Sequence, residues 1–255
     1  MKTRHYLITV GVAYILFLLI YTPASAVISA FRDSVPQIKI EGVTGTIWNG
    51  RAQRITYSHH VLENTHWSTC SWRLITGEAC VELEAKYNDN NFHSEIGVNV
   101  TGTVKARDLQ ANLDAEALGE QLRLPLGKLS GDVLLNIEQL VWAGGYVPTA
   151  EGVIKWNNAA ITLAEQTDLG MVSIQITESD EYPLTATLNN NGGHIAINGH
   201  INIGDDGTYS LELKLLPGNN ASVNLRKNLG TFTKKQSDGS YLVENNGNLN
   251  ELGIM

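Results

Sequence analysis

Positive charge is scarce in this sequence and never gathers. Its 255 residues carry 18 Lys and Arg against 26 Asp and Glu, a net charge of −8. The densest basic pair beyond the N-terminus is Lys234-Lys235. Nucleic-acid binding needs clustered cations to neutralise phosphates, so no nucleic acid is expected as a partner. Signatures of catalysis are missing too. There is no G-x-S-x-G elbow, no P-loop and no H-E-x-x-H, and the scattered serines have no evident base. Metal-ligand spacing is also lacking. His59, His60 and His66 precede Cys70 and Cys80 without any C-x2-C or H-x3-H pair. Asp205-Asp206-Gly207 has neither the further acids nor the final Glu of a calcium loop. These absences argue against an enzyme and leave no metal, no cofactor and no catalytic residue to assign.

Charge is absent altogether from one long stretch. After Lys2 and Arg4 the next charged side chain is Arg32, and Tyr6 to Tyr21 is almost wholly apolar. A bilayer span needs about 20 such residues. Two readings stay open: an uncleaved anchor over 6–31 with a short cytoplasmic segment 1–5, or a secretory signal cut after Ala24-Ser25-Ala26. Either one exports the remainder, 32–255.

Cysteine is nearly absent. Cys70 and Cys80 are the only two. In an exported domain such a pair reads as a disulfide, worth roughly 2–3 kcal/mol on the chain-entropy model; two separate buried thiols are the alternative. Trp67 and Trp72 flank Cys70. They are candidates for a surface that meets a partner, or for aromatic packing over the disulfide.

What is abundant is alternation of period two, the mark of half-buried strands. Val81, Leu83, Ala85 and Tyr87 oppose Glu82, Glu84 and Lys86. Val133, Leu135 and Ile137 repeat the pattern, as do Val172, Ile174 and Ile176, then Ile195 to Ile203 and Tyr209 to Leu215. GDDG at 204–207 is a hairpin turn. Parallel sheets would show continuous apolar runs instead. Glycine recurs just ahead of apolar strand positions, in GVTGTIWNG, NVTGTVKAR, KLSGDVLLN and TAEGVIKWN. Glycine inside a strand marks bulges and bends. The expected fold is therefore mainly β: a strongly curved, mostly antiparallel meander, a half-pipe or partly open barrel. Two sub-lobes divided near 108–127 are expected. Only two short helices are signalled. One lies within 112–125, capped by Asp114 and ended by Pro125; the other runs from Ala221 to Leu229, with Asn220 as cap and Gly230 past its end.

The segment GVTGTIWNGRA, behind an apolar N-terminus, resembles the type II secretion system protein N family, which carries a G-x-x-G-T-x-W-x-G segment after a short anchor. The matching positions here are Gly42, Gly45, Thr46, Trp48 and Gly50. Further similarity follows in order along the chain: CSWRL, ITGEACVELEA, LRLPLGKLSGDVLLNIEQLVW, EGVIKWNNAAI, NNGGHIAINGHINIGDDGTYSLELKLLP and LGTFTKKQSDGSYLVENNGNL. The resemblance implies a non-enzymatic, single-pass inner-membrane protein with its bulk in the periplasm. Its implied partners are other secretion components, either inner-membrane platform proteins or the secretin. The G-x-v-x-W strands also resemble envelope proteins of the AsmA-like kind, which implies a lipid- or hydrophobe-binding groove as the alternative.

Overall fold

The computed structural model describes residues 2–31, 36–57, 60–87, 90–121, 127–144, 149–162, 165–179 and 181–249. Compact packing divides the chain into two units, Met1–Asn99 and Val100–Met255.

The first unit begins with helix α1 (Lys2–Ile20) and helix α2 (Ala24–Phe31). The apolar stretch is thus two helices rather than one. Proline lacks an N–H and is suited to the start of a helix, not its interior. Pro23 accordingly ends the first run and opens the second, its carbonyl accepting from Ala26 N at 3.2 Å. Among the described residues no helix is long and apolar enough to cross a membrane.

Strands β1 (Ile38–Glu41), β2 (Thr44–Gly45), β3 (Asn49–Tyr57), β4 (His60–Thr69), β5 (Glu78–Tyr87) and β6 (Asn90–Asn99) follow. They pair antiparallel in the order β1-β3-β4-β5-β6, with β2 added to β3. In β5 the alternation behaves as read: Ala85 is buried, Val81 and Leu83 are half-buried, and Glu82, Glu84 and Lys86 are exposed. A six-residue 3₁₀ helix, Ser71–Thr76, joins β4 to β5.

The second unit contains β7 (Val104–Asp114), α3 (Ala115–Gln121), β8 (Lys128–Trp142), β9 (Thr149–Thr162) and β10 (Gln166–Thr177). It continues with β11 (Leu184–Asn191), β12 (Ile195–Ile203), β13 (Thr208–Pro217), α4 (Val223–Phe232), β14 (Lys234–Lys235) and β15 (Tyr241–Asn248). Its open sheet runs from β7 to β13 in sequence order, then β15 and β14, all antiparallel. The fold class read from the sequence is the one observed: mainly β, antiparallel and meandering, with few short helices.

Register aligns the apolar positions of this unit. One row reads Ala111, Leu135, Ile154, Ile174, Leu188, Gly199, Leu213 and Val243 across successive strands. Only part of this face is covered. α3 buries Ala115 against Leu129 and Val133, with Leu118 and Trp156 alongside. A neighbouring cluster joins Ala159, Leu169 and Val172. At the other side α4 lies by the buried Tyr241, whose hydroxyl donates to Arg226 O at 3.4 Å. Gly131, at φ +112°, marks a register shift of β8 against β9, as its place in the glycine recurrence implied.

The helix signals hold with adjusted ends. Asp114 caps α3, its Oδ1 accepting from Glu116 N at 2.7 Å, while Leu122 and Pro125 lie outside the described residues. The cap of α4 is Ser222 and not Asn220, because Ser222 Oγ accepts from Leu225 N at 3.0 Å. Gly230 does not end α4 but lies within it, where its bare Cα faces the ring of Tyr241. The helix stops at Thr233, which turns extended.

Candidate functional site

The glycine-rich motif builds a tight hairpin with two attachments. β2 pairs with β3 through Thr44–Arg51 and Gly45–Gly50. Between them, Thr46 N donates to Asn49 O at 2.9 Å. Thr46 Oγ1 accepts from Trp48 N at 3.3 Å and Asn49 N at 3.2 Å. A Thr or Ser hydroxyl is the side chain that can reach back to such turn amides. Gly45 has φ +86°, and a Cβ there would stand 2.5 Å from Asn49 O. Gly42 bends the chain ahead of the hairpin, at φ +66°.

The first attachment is to β4. Trp67 lies across Gly50, where a Cβ would come within 2.3 Å of the indole ring. The same indole donates Nε1–H to Thr46 O at 3.3 Å. Trp48 O accepts from Thr69 N at 2.8 Å. Glycine at 50 and tryptophan at 67 are therefore complementary: one vacates the volume that the other fills.

The second attachment is to the N-terminal helices. Ile47 N donates to Thr22 O at 3.2 Å, and Pro23 and Thr46 form an isolated antiparallel bridge. Both partners lie in the turn between α1 and α2. Ala24, at the start of α2, is 2% exposed. The hairpin is thus a seat for the joint behind α1. Thr22 and Pro23 carried no signal of this in the sequence, since backbone atoms make the contact.

Cys70 and Cys80 are bonded, with Cα atoms 5.2 Å apart. The bond closes the 3₁₀ helix, which Gly77 caps in a left-handed conformation at φ +78°. Arg73 stays close to the sheet, Nη1 lying 2.7 Å from Glu95 Oε1 and 3.4 Å from Glu78 Oε1. Trp72 stands outside with 65% of its surface exposed, stacked by Arg73 Cζ at 5.0 Å from its ring centre. The structure therefore separates the two tryptophans around Cys70. Trp67 packs on the hairpin, and Trp72 projects from the clamped loop.

His59 lies outside the described residues. Among the described residues, Glu82, Glu84 and His93 come together on β5 and β6. His93 Nδ1 is 4.0 Å from Glu84 Oε1.

The folded chain is an antiparallel β protein whose first hairpin holds the joint between two apolar N-terminal helices. The family model for type II secretion system (T2SS), protein N matches residues 36–244, and the chain belongs to that family. A type II secretion system protein N from Aeromonas hydrophila is 24% identical over 245 residues, covering 93% of this chain and 95% of its own. The protein of the same name from Pectobacterium carotovorum subsp. carotovorum is 23% identical over 245 residues, covering 93% and 94%. That from Vibrio cholerae serotype O1 is 20% identical over 241 residues, covering 90% and 92%. No solved structure matches.

Proposed function

We propose that this protein is a non-enzymatic component of type II secretion, anchored in the inner membrane by its N-terminal helix. Its β units lie in the periplasm and assist export of folded proteins across the outer membrane through protein–protein contacts. The partners are other secretion components, platform proteins of the inner membrane or the secretin.

One observation carries the anchoring: the Gly42–Gly50 hairpin bonds the turn directly behind α1. α1 itself exposes apolar side chains on every side, Val10, Val12, Tyr14, Ile15, Phe17, Leu18 and Ile20 each above half of their surface or at it. A helix apolar all round is suited to lipid rather than to water. Lys2 and Arg4 at its start favour a cytoplasmic N-terminus. Ala24-Ser25-Ala26 falls inside α2 with Ala24 buried, which favours the uncleaved anchor over a cut signal.

The test is deletion of the gene with complementation by a tagged copy. The expected result is reduced exoprotein in the medium, restored by the copy, with secretion subunits recovered on the tag after crosslinking. Unchanged secretion and an empty tag would overturn the reading.

A second reading is favoured by the apolar row from Leu135 to Val243, whose side chains are only half-buried. Such a face could hold a lipid acyl chain as in AsmA-like proteins. Native mass spectrometry of the full chain, compared with Leu188→Glu, tests it. A bound lipid that the substitution expels is the expected sign, and an unliganded mass for the parent chain would rule it out.

A further inference from the structure

We propose that the disulfide-clamped loop Ser71–Thr76 is a second membrane contact: it sets Trp72, Leu74 and Ile75 into the interfacial layer of the bilayer that α1 enters. This rests on the anchoring reading above.

Exposure comes first. Trp72 is 65% exposed, Leu74 46% and Ile75 89%, three large apolar side chains within one turn and a half of 3₁₀ helix. Left in water, each forfeits much of the transfer free energy that burial would return. Clustered exposed apolar groups of this kind mark a binding surface.

Rigidity comes second. The loop is not a frayed end. Cys70 N donates to Cys80 O at 3.0 Å beside the disulfide, and Gly77 N donates to Leu74 O at 3.1 Å. Arg73 is drawn down between Glu78 and Glu95. The one cation of the loop is therefore neutralised at the sheet, and the apolar residues on either side of it are held outward. A fixed presentation loses little entropy on docking.

Place decides the occupant. Thr22, two residues past α1, bonds Ile47. Trp48, the next residue, bonds Thr69. Cys70 follows Thr69 and opens the loop. The loop therefore sits at the end of the β sheet from which α1 departs, so the bilayer around α1 is the nearest apolar phase. Tryptophan flanked by aliphatic side chains suits the interfacial zone, where an indole sits with its ring in the apolar layer and its N–H near water. The exposed charges on the adjacent sheet face, Glu82 and Glu84, make attraction to anionic headgroups an unfavourable alternative. The contact is apolar insertion.

The experiment uses the full chain, with its native disulfide intact, reconstituted in vesicles of phosphatidylethanolamine and phosphatidylglycerol. A nitroxide is placed through Ile75→Cys and, in a second variant, Leu74→Cys. Reference labels go at Val12→Cys in α1 and Asn91→Cys at the far end of the β5–β6 hairpin. Accessibility to oxygen and to a water-soluble nickel chelate is read for each. The expected result is oxygen access above nickel access at 75, 74 and 12, and the reverse at 91. Nickel access at both 75 and 74 with oxygen access at 12 would overturn the loop contact and leave the anchor standing. Nickel access at 12 as well would overturn the anchor, and this inference with it. Exclusion of both reagents at 75 and 74 would overturn it in favour of a second copy of the chain.

Discussion

The backbone N–H of Ile47 points at the carbonyl oxygen of Thr22, 3.2 Å away, and this bond, beside the Pro23–Thr46 bridge, ties the exit of α1 to the tip of the first hairpin. A net backbone hydrogen bond contributes about 1 kcal/mol. Removing residues 1–23 should therefore raise hydrogen exchange at the Ile47 amide by roughly fivefold. The Asn49 amide, held by Thr46 Oγ1 within the hairpin, should change little. Equal acceleration at both amides would show that the helices hold the whole hairpin and not one amide.

Gly50→Val places new atoms inside the Trp67 indole, since even a Cβ would lie 2.3 Å from the ring. Overpacking of this kind costs about 1–3 kcal/mol. The expected outcome is a lower denaturation midpoint together with a red-shifted tryptophan emission as Trp67 is displaced. Trp67→Ala combined with Gly50→Val should recover part of the loss, because the ring clash is gone while Thr44 O still stands 2.9 Å from such a Cβ.

Replacing both cysteines by serine should lower stability by about 2–3 kcal/mol on the chain-entropy model. The loss should appear first as protease cleavage between Ser71 and Thr76, measured by peptide mapping. The strands that flank the loop remain paired through β4–β5 contacts such as Trp67–Leu83, so the sheet itself should survive.

Asn190 is a junction in the second unit. Its Nδ2 lies 2.6 Å from Leu169 O and 2.8 Å from Ile195 O, and its Oδ1 accepts from Ile197 N at 2.6 Å. Asn190→Leu strands these backbone groups, each costing about 1–3 kcal/mol when buried without a partner. A midpoint shift well beyond that of the exposed neighbour Asn189→Leu is expected in urea unfolding.

Asp238 is held well below the usual carboxylate range, first by its hydrogen bond from Lys214 and then by those from Ser240. A carboxyl depressed in the folded state stabilises above its unfolded pKa, and that contribution disappears as pH falls toward the folded value. Asp238→Asn should therefore narrow the gap between neutral and acid thermal midpoints without changing the acid end. Thermal scans from neutral pH down through the carboxylate range measure it. Because the pair is exposed to solvent, salt should shrink the difference.

Much of the sheet was legible because burial on one side imposes its period on the side chains. Val81, Leu83 and Ala85 could be assigned a common face before any pairing was known. Trp67 and Trp72 could not be told apart in the same way. One falls on a strand opposite a glycine and the other on a 3₁₀ turn, and that difference depends on register, not on composition. The seat for α1 was hidden for a deeper reason: the hydrogen bond from Ile47 to Thr22 uses only backbone atoms. Asn190, within a run of asparagines and glycines, carried the signature of a polar turn. Its role depends on two carbonyls and an amide, those of Leu169, Ile195 and Ile197, brought to it by β10 and β12.

The strand order has a consequence for how the chain reaches its fold. Within each unit, from β3 to β6 and from β7 to β13, each strand pairs with the one made just before it. Every hairpin can close as soon as its second strand is available, with little loop-closure entropy to overcome. A chain delivered from its N-terminus can zip strand by strand, and each new edge is covered by the next arrival before it can pair elsewhere. The exception is β15, which is separated along the chain from its partner β13 by α4 and β14. That last step is where a partly delivered chain would remain open longest.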